Sequence, residues 1–142
     1  MKRENFPIWA RVEVRWGDMD AMGHVNNAKY FTYLESARIQ LFRALGLDAP
    51  MTEERAGMNL AHAGCNFRAQ VHYPDVLEIG TVVTKIGNAS FQLAHVFLRE
   101  GTEQLVADGN SVVVWTDYTI GKSAPLPPDV RAKLMAFTMK EA

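Results

Sequence analysis

The sequence predicts an α+β domain in which a curved antiparallel sheet wraps one long central helix. Three observations lead there. An apolar stripe at three- and four-residue steps runs for about 18 residues from Ala28. A segment of strict alternation precedes it. Four strand-like segments follow it, joined by short turn signals, which is the pattern of an antiparallel meander. The length of 142 residues fits one domain, 1–142.

In residues 10–16, Val12, Val14 and Trp16 fall on one face and Arg11, Glu13 and Arg15 on the other, the period of a half-buried strand. Residues 17–27 hold two glycines and four Asp/Asn residues and read as a loop. The helix places Tyr30, Tyr33, Leu34, Ala37, Leu41 and Leu45 on its inner face, with Phe31 and Phe42 widening the stripe. Asn26 or Asn27 caps its start and Gly46 sits where a helix-ending glycine belongs. Residues 59–71 predict a weak strand or strand pair. Residues 77–86 predict a stronger strand, with Leu77, Ile79 and Val83 as core. Gly87-Asn88 turns the chain into residues 91–99, where Phe91, Leu93, His95 and Phe97 share a face. Glu100-Gly101-Thr102 turns it again into 105–115, and Pro128 or Asp129 opens a short helix over 129–139.

Composition excludes several function classes. Fifteen Lys+Arg against 16 Asp+Glu give a net charge of −1, without the basic excess that nucleic acid or anionic membrane binding draws on. Apolar residues make up 48% and charged residues 22%, an ordinary globular balance rather than a disordered one. One cysteine, Cys65, cannot form an internal disulfide, which favours a reducing compartment. With His24, His62, His72 and His95 scattered, no metal site is expected. No signal-peptide core or membrane span stands out, so cytoplasmic residence is the expectation.

The segment that carries chemistry is Arg15-Trp-Gly-Asp-Met-Asp-Ala-Met-Gly-His-Val-Asn-Asn-Ala-Lys-Tyr30. It sets two carboxylates, a histidine and two asparagines before a helix N-terminus, whose unpaired N–H groups can stabilise a developing oxyanion. A carboxylate there can act as nucleophile or as general base on water. The same residues would also serve as a plain capping loop. A phosphatase D-x-D is ruled out because the preceding strand alternates charges instead of running apolar. A calcium loop is ruled out because its twelfth position is Lys29, where a bidentate Glu is needed.

Residues 14–38, V-R-W-G-D-M-D-A-M-G-H-V-N-N-A-K-Y-F-T-Y-L-E-S-A-R, resemble the signature of hotdog-fold acyl-CoA thioesterases of the 4-hydroxybenzoyl-CoA thioesterase type. That signature is D-x-D-x-x-G-H-V/M-N-N-x-x-Y followed by E-x-x-R, here Glu35 and Arg38. Element order extends the resemblance to about Asp117, with Tyr73-Pro-Asp-Val-Leu77 as a weaker local match.

The resemblance implies a thioester hydrolase without metal or organic cofactor, coenzyme A entering as part of the substrate. It places the catalytic carboxylate on Asp20, with direct attack and water activation both open. It places the oxyanion donor at the start of the helix, near Asn27, and substrate-positioning groups at Gly23, His24, Val25 and Asn26. Tyr30 and Tyr33 would line the acyl pocket, its depth depending also on Leu34, Met58 and Phe67. Asp18 reads as a holder of loop backbone, Glu35 and Arg38 as a helix ion pair, and Cys65, His62, His72 and His95 as structural. The hairpin that carries a basic cluster in some relatives here holds only Lys85, so Arg68, Arg99 and Lys122 become candidates for the coenzyme phosphates, and an acyl carrier protein remains a possible carrier. Such domains pair as homodimers or homotetramers, and open strand edges favour it. Two alternatives share the fold: a non-catalytic acyl-CoA-binding or sensing module, and an acyl-thioester dehydratase. The D-x-D…G-H-V-N-N loop argues for hydrolysis over either.

Overall fold

The computed structural model describes residues 2–47 and 56–139. They form β1 (Ile8–Glu13), α1 (Asn27–Ala44), β2 (Ala56–Phe67), β3 (Val76–Ile86), β4 (Ser90–Arg99), β5 (Leu105–Asp117), β6 (Lys122–Ser123) and α2 (Pro128–Met135). The strands pair antiparallel in the order β1-β3-β4-β5-β2, with β6 pairing β5. Register shifts between Leu60 and His62 and between Val83 and Lys85 insert extra residues. Such bulges bend a strand and let the sheet curl around the helix. This is the hotdog arrangement the sequence led us to expect.

The concave face is filled by α1. Tyr30, Tyr33, Leu34 and Ala37 pack with Ala10, Val14, Leu77, Ile79, Phe97 and Val106. One and two turns further on, Leu41 and Leu45 meet Val83, Phe91, Leu93 and Val113, and α2 closes this end with Val130 and Leu134. Burying each of these leucines contributes about 1.5–3 kcal/mol, which is what holds the helix inside the sheet. Gly109 lets the layers come this close: a Cβ there would stand 2.7 Å from the Gly64 carbonyl oxygen and 3.5 Å from Leu34. On the convex face Phe6 and Trp9 cover Val82 and Val96, so β3 and β4 are buried on both sides.

Several expectations need correction. The first strand begins at Ile8 and ends at Glu13. Val14 stays inside, but Trp16 opens a short 3₁₀ turn and is 73% exposed. The chain leaves the sheet there because Asp18 Oδ2 accepts the Arg15 N–H at 3.0 Å and draws the backbone into the turn. Phe31 lies on the outer flank of α1, 39% exposed, since helical rotation carries it past the edge of the stripe. Arg38 does not pair with Glu35. It points inward, 7% exposed, and donates to Ser111 Oγ at 3.1 Å. The weak segment at 59–71 is one 12-residue strand, β2, starting at Ala56, and α2 stops at Met135. Asn26 caps α1, its side chain accepting the Ala28 N–H at 3.0 Å, and the helix ends at Leu45-Gly46 as expected. Among the described residues no helix is long and apolar enough to cross a membrane.

Candidate active site

The β1–α1 loop folds back on itself before entering the helix. Asp20 N–H donates to the His24 carbonyl at 2.8 Å and Gly23 N–H to the Asp20 carbonyl at 3.0 Å, while Met19 and Val25 pair as a short bridge. Gly23 makes the reversal at φ +83°, a backbone region that costs other residues about 1–2 kcal/mol. One outside bond anchors the loop, Val25 N–H to the Val71 carbonyl at 2.8 Å, and a further bond within it ties its two ends, Asn26 N–H to the Asp18 carbonyl at 2.9 Å.

Within this frame the two aspartates differ. Asp18 is buried, its Oδ2 accepting the Tyr33 hydroxyl at 2.6 Å and the Arg15 N–H at 3.0 Å. Burial, reinforced by the Asp18 carboxylate, pushes the Tyr33 hydroxyl above its ordinary value and keeps it protonated as a donor. Asp20 is exposed at the loop's mouth. Its Oδ1 accepts Met22 N–H at 2.9 Å and His24 N–H at 3.4 Å, which holds the carboxylate in one orientation. Oδ2 has no hydrogen bond among the described residues.

The helix start completes the site. Ala28 N–H is taken by Asn26 Oδ1 and Lys29 N–H by the Asn26 carbonyl, at 3.0 and 2.9 Å. The Asn27 N–H has no acceptor among the described residues, so it is the open donor at the positive end of α1. Asp20, His24, Val25, Asn26, Asn27 and Tyr30 line one cavity of about 270 Å³, closed on its far side by Phe67, Ala69, Gln70 and Val71. The Phe67 ring meets Tyr30 edge-on at 4.9 Å. The lining thus brings together the first residue of α1, an exposed carboxylate and two aromatic rings.

Not every expected residue converges here. Tyr33 turns to Asp18 and lines a neighbouring cleft of about 630 Å³ instead. Leu34 is wholly buried, and Met58 packs at the other end of the core with Leu41 and Leu45. Gly23 shapes the loop without lining the cavity. Arg68 flanks the cavity, but its guanidinium pairs with Asp108 at 2.6 Å. Arg99 pairs with Asp75 and donates to the Gln70 carbonyl at 2.9 Å, and Lys122 sits on β6 against Asp117. Cys65 is half-buried, its thiol pushed up to about 11 by burial and then by Asp108, which suppresses the thiolate. His95 lies wholly inside, bonded to Thr81 Oγ1 at 3.0 Å and Ser111 Oγ at 2.9 Å.

Sequence reasoning missed two neighbours of the site. Gln70 lines the cavity, and His72 hydrogen-bonds the Gly23 carbonyl through Nδ1 at 2.8 Å while its ring meets His24 edge-on at 5.0 Å. His72 directly precedes the Tyr73-Pro74-Asp75 match, which was the one signal that could have pointed to it. Among the described residues no three His, Cys, Asp or Glu side chains gather in a way that would hold a metal ion.

Comparison with known proteins places this geometry. Residues 14–134 match the thioesterase-like superfamily. The long-chain acyl-CoA thioesterase FadM of Escherichia coli is 28% identical over 124 residues, covering 87% of this chain and 94% of FadM. A Thermus thermophilus thioesterase solved with coenzyme A and zinc superposes with a TM-score of 0.81 at 30% identity, over 94% of this chain and 96% of its own. A gentisyl-coenzyme A thioesterase structure gives 0.80 at 26% identity, over 89% and 98%. The matched span runs through β1, the Asp20 loop, α1 and the whole sheet, and the chain belongs to the thioesterase-like superfamily, with its hotdog fold.

Proposed function

We propose that the chain is an acyl-CoA thioesterase that hydrolyses its substrate to free acid and coenzyme A at the Asp20–Asn27 loop. One observation carries the reading: Asp20, with one carboxylate oxygen outside any hydrogen bond, and Asn27, whose N–H has no acceptor among the described residues, line the same cavity. The thioester carbonyl oxygen accepts from Asn27 N–H, which polarises the carbon and stabilises the tetrahedral oxyanion. Asp20 either attacks that carbon, to be freed by water, or takes a proton from a water that attacks. Coenzyme A leaves as thiolate, a good leaving group, so a carboxylate and one oriented donor suffice without metal or organic cofactor. His24, Val25 and Asn26 hold the loop and the carbonyl in register, while Tyr30 and Phe67 receive the first part of the acyl group.

The names of the relatives, one acting on long-chain acyl-CoA and one on gentisyl-coenzyme A, support acyl-CoA as the substrate class. The lone, suppressed Cys65 thiol fits a cytoplasmic setting. We also read the working form as a homodimer or homotetramer. β2 is a 12-residue edge strand with Leu60 and Phe67 each 49% exposed, a surface suited to pairing with a second copy. A partner there stands beside the cavity, because Phe67 ends β2 and closes it.

The test is thiol release from short-chain, long-chain and aromatic acyl-CoAs, with sedimentation for the oligomeric state. Turnover of at least one class supports the reading. Tight acyl-CoA binding with no turnover of any class points instead to a sensing module.

A further inference from the structure

The geometry points to His72 as a positioning residue of this site: its Nδ1–H captures the Gly23 carbonyl and thereby keeps the Asn27 N–H open. This rests on the reading of Asn27 as the oxyanion donor. The segment after β2 runs alongside the catalytic loop and holds it at three successive residues. The Val71 carbonyl accepts Val25 N–H at 2.8 Å, Tyr73 N–H contacts Met19 Sδ at 3.4 Å, and His72 Nδ1 meets the Gly23 carbonyl oxygen at 2.8 Å. Of the three residues on this segment, only His72 holds the loop through its side chain. A carbonyl only accepts, so Nδ1 must carry the hydrogen, and the bond selects one imidazole tautomer.

Gly23 stands four residues before Asn27, so its carbonyl is the acceptor that one more turn of helix would offer the Asn27 N–H. Asn26 at ψ 136° and Gly23 at φ +83° stop the helix from extending backward, and the bond from His72 holds the Gly23 carbonyl in that turn, so the donor stays free. The same bond fixes the hairpin whose amides at Met22 and His24 orient Asp20 Oδ1. The contact lies near solvent, where water competes for the carbonyl. The His24 ring stands edge-on to His72 at 5.0 Å, beside this contact. His72 thus sets both catalytic groups, the carboxylate and the amide, without touching substrate.

The test compares wild type with His72→Ala, His72→Asn and His72→Gln, measuring acyl-CoA hydrolysis, thermal stability, imidazole ¹⁵N shifts and the Asn27 amide resonance. Asn carries a donor at the position of Nδ1; Gln places it further out. Expected are an Nδ1–H tautomer in wild type and a kcat loss of roughly 10-fold or more in His72→Ala at little-changed KM and Tm, since small misplacements of reacting groups are costly. His72→Asn recovers most of the loss and His72→Gln does not, with the Asn27 amide shift tracking kcat. An Nε2–H tautomer, or a His72→Ala protein with unchanged kcat and an unmoved Asn27 amide, overturns the inference. If His72→Ala does not fold, the tautomer and the Asn-against-Gln comparison decide. If wild type turns over no acyl-CoA, the functional reading fails, and the tautomer and amide shift still judge the hydrogen bond.

Discussion

Acid loads a proton onto His95 in the unfolded chain that the folded chain refuses. His95 is fully buried, and burial, aided by the nearby Arg38 charge, lowers its pKa from 6.5 to about 3. Its two ring nitrogens face Thr81 Oγ1 and Ser111 Oγ, and Arg38 donates to the same Ser111, so no carboxylate compensates a second positive charge. Because the folded value is depressed, the contribution to stability is complete above pH 6.5 and is lost as pH falls from there toward about 3. At pH 4 the loss spans about 2.5 pH units at roughly 1.4 kcal/mol each, or about 3 kcal/mol. The assay is urea unfolding of wild type and His95→Gln at several pH values between 7 and 4. Gln keeps a donor and an acceptor but does not titrate. The partly buried carboxylates whose pKa is lowered, Glu78, Asp108 and Asp117, act alike in both proteins and cancel in the difference. Wild type should lose about 3 kcal/mol relative to the variant over that range. Parallel curves for the two proteins would refute the argument, because His95 would then not be held neutral by burial.

Three further substitutions probe the frame around the site. Tyr33→Phe removes the hydroxyl that donates to the buried Asp18 carboxylate and should cost about 1–3 kcal/mol in urea unfolding; an unchanged midpoint means another donor serves Asp18. Asn26→Ala removes the cap on Ala28 N–H and should cost about 1 kcal/mol, with amide exchange rising first in the opening turn of α1. Gly109→Ala sets a Cβ 2.7 Å from the Gly64 carbonyl, so β2 or β5 must shift, at about 1–3 kcal/mol by thermal melt; no loss implies that the strands sit further apart.

The fold was largely legible because its elements have strong local signals. The α1 stripe, the Asn26 cap and the Gly46 stop are all within the reach of a few residues, and each lies where periodicity put it. Errors arose where tertiary contacts override local pattern. Trp16 continues the alternation of β1 in sequence, yet an Asp18 side-chain bond turns the backbone before it can reach the core. Arg38 sits at ion-pair spacing from Glu35, but a polar pocket at Ser111, on a strand 73 residues away, draws it inward. β2 reads weakly because it is an edge strand with an irregular register and a mostly exposed surface, so alternation is blurred.

The site was legible where its residues are contiguous and not where they come from the partner segment. Asp20, His24, Asn26 and Asn27 lie in one run, and the fold gathers them with Tyr30 around one cavity. Gln70 and His72 reach it only through the β2–β3 connection, a proximity that no spacing in the sequence encodes. Tyr33, one turn beyond Tyr30, looked like a second pocket wall. Its hydroxyl is committed to Asp18, a distinction set by the direction of the side chain rather than by its position on the helix.

The most direct measurement is steady-state thiol release by wild type and Asp20→Asn on whichever acyl-CoA wild type turns over, alongside acyl-CoA binding to both. The substitution keeps the shape of the side chain and removes its charge. A fall in kcat of at least ~10²-fold with binding retained is the outcome predicted for a carboxylate that attacks or activates water. Turnover that survives in Asp20→Asn would contradict the assignment and move the chemistry off this loop.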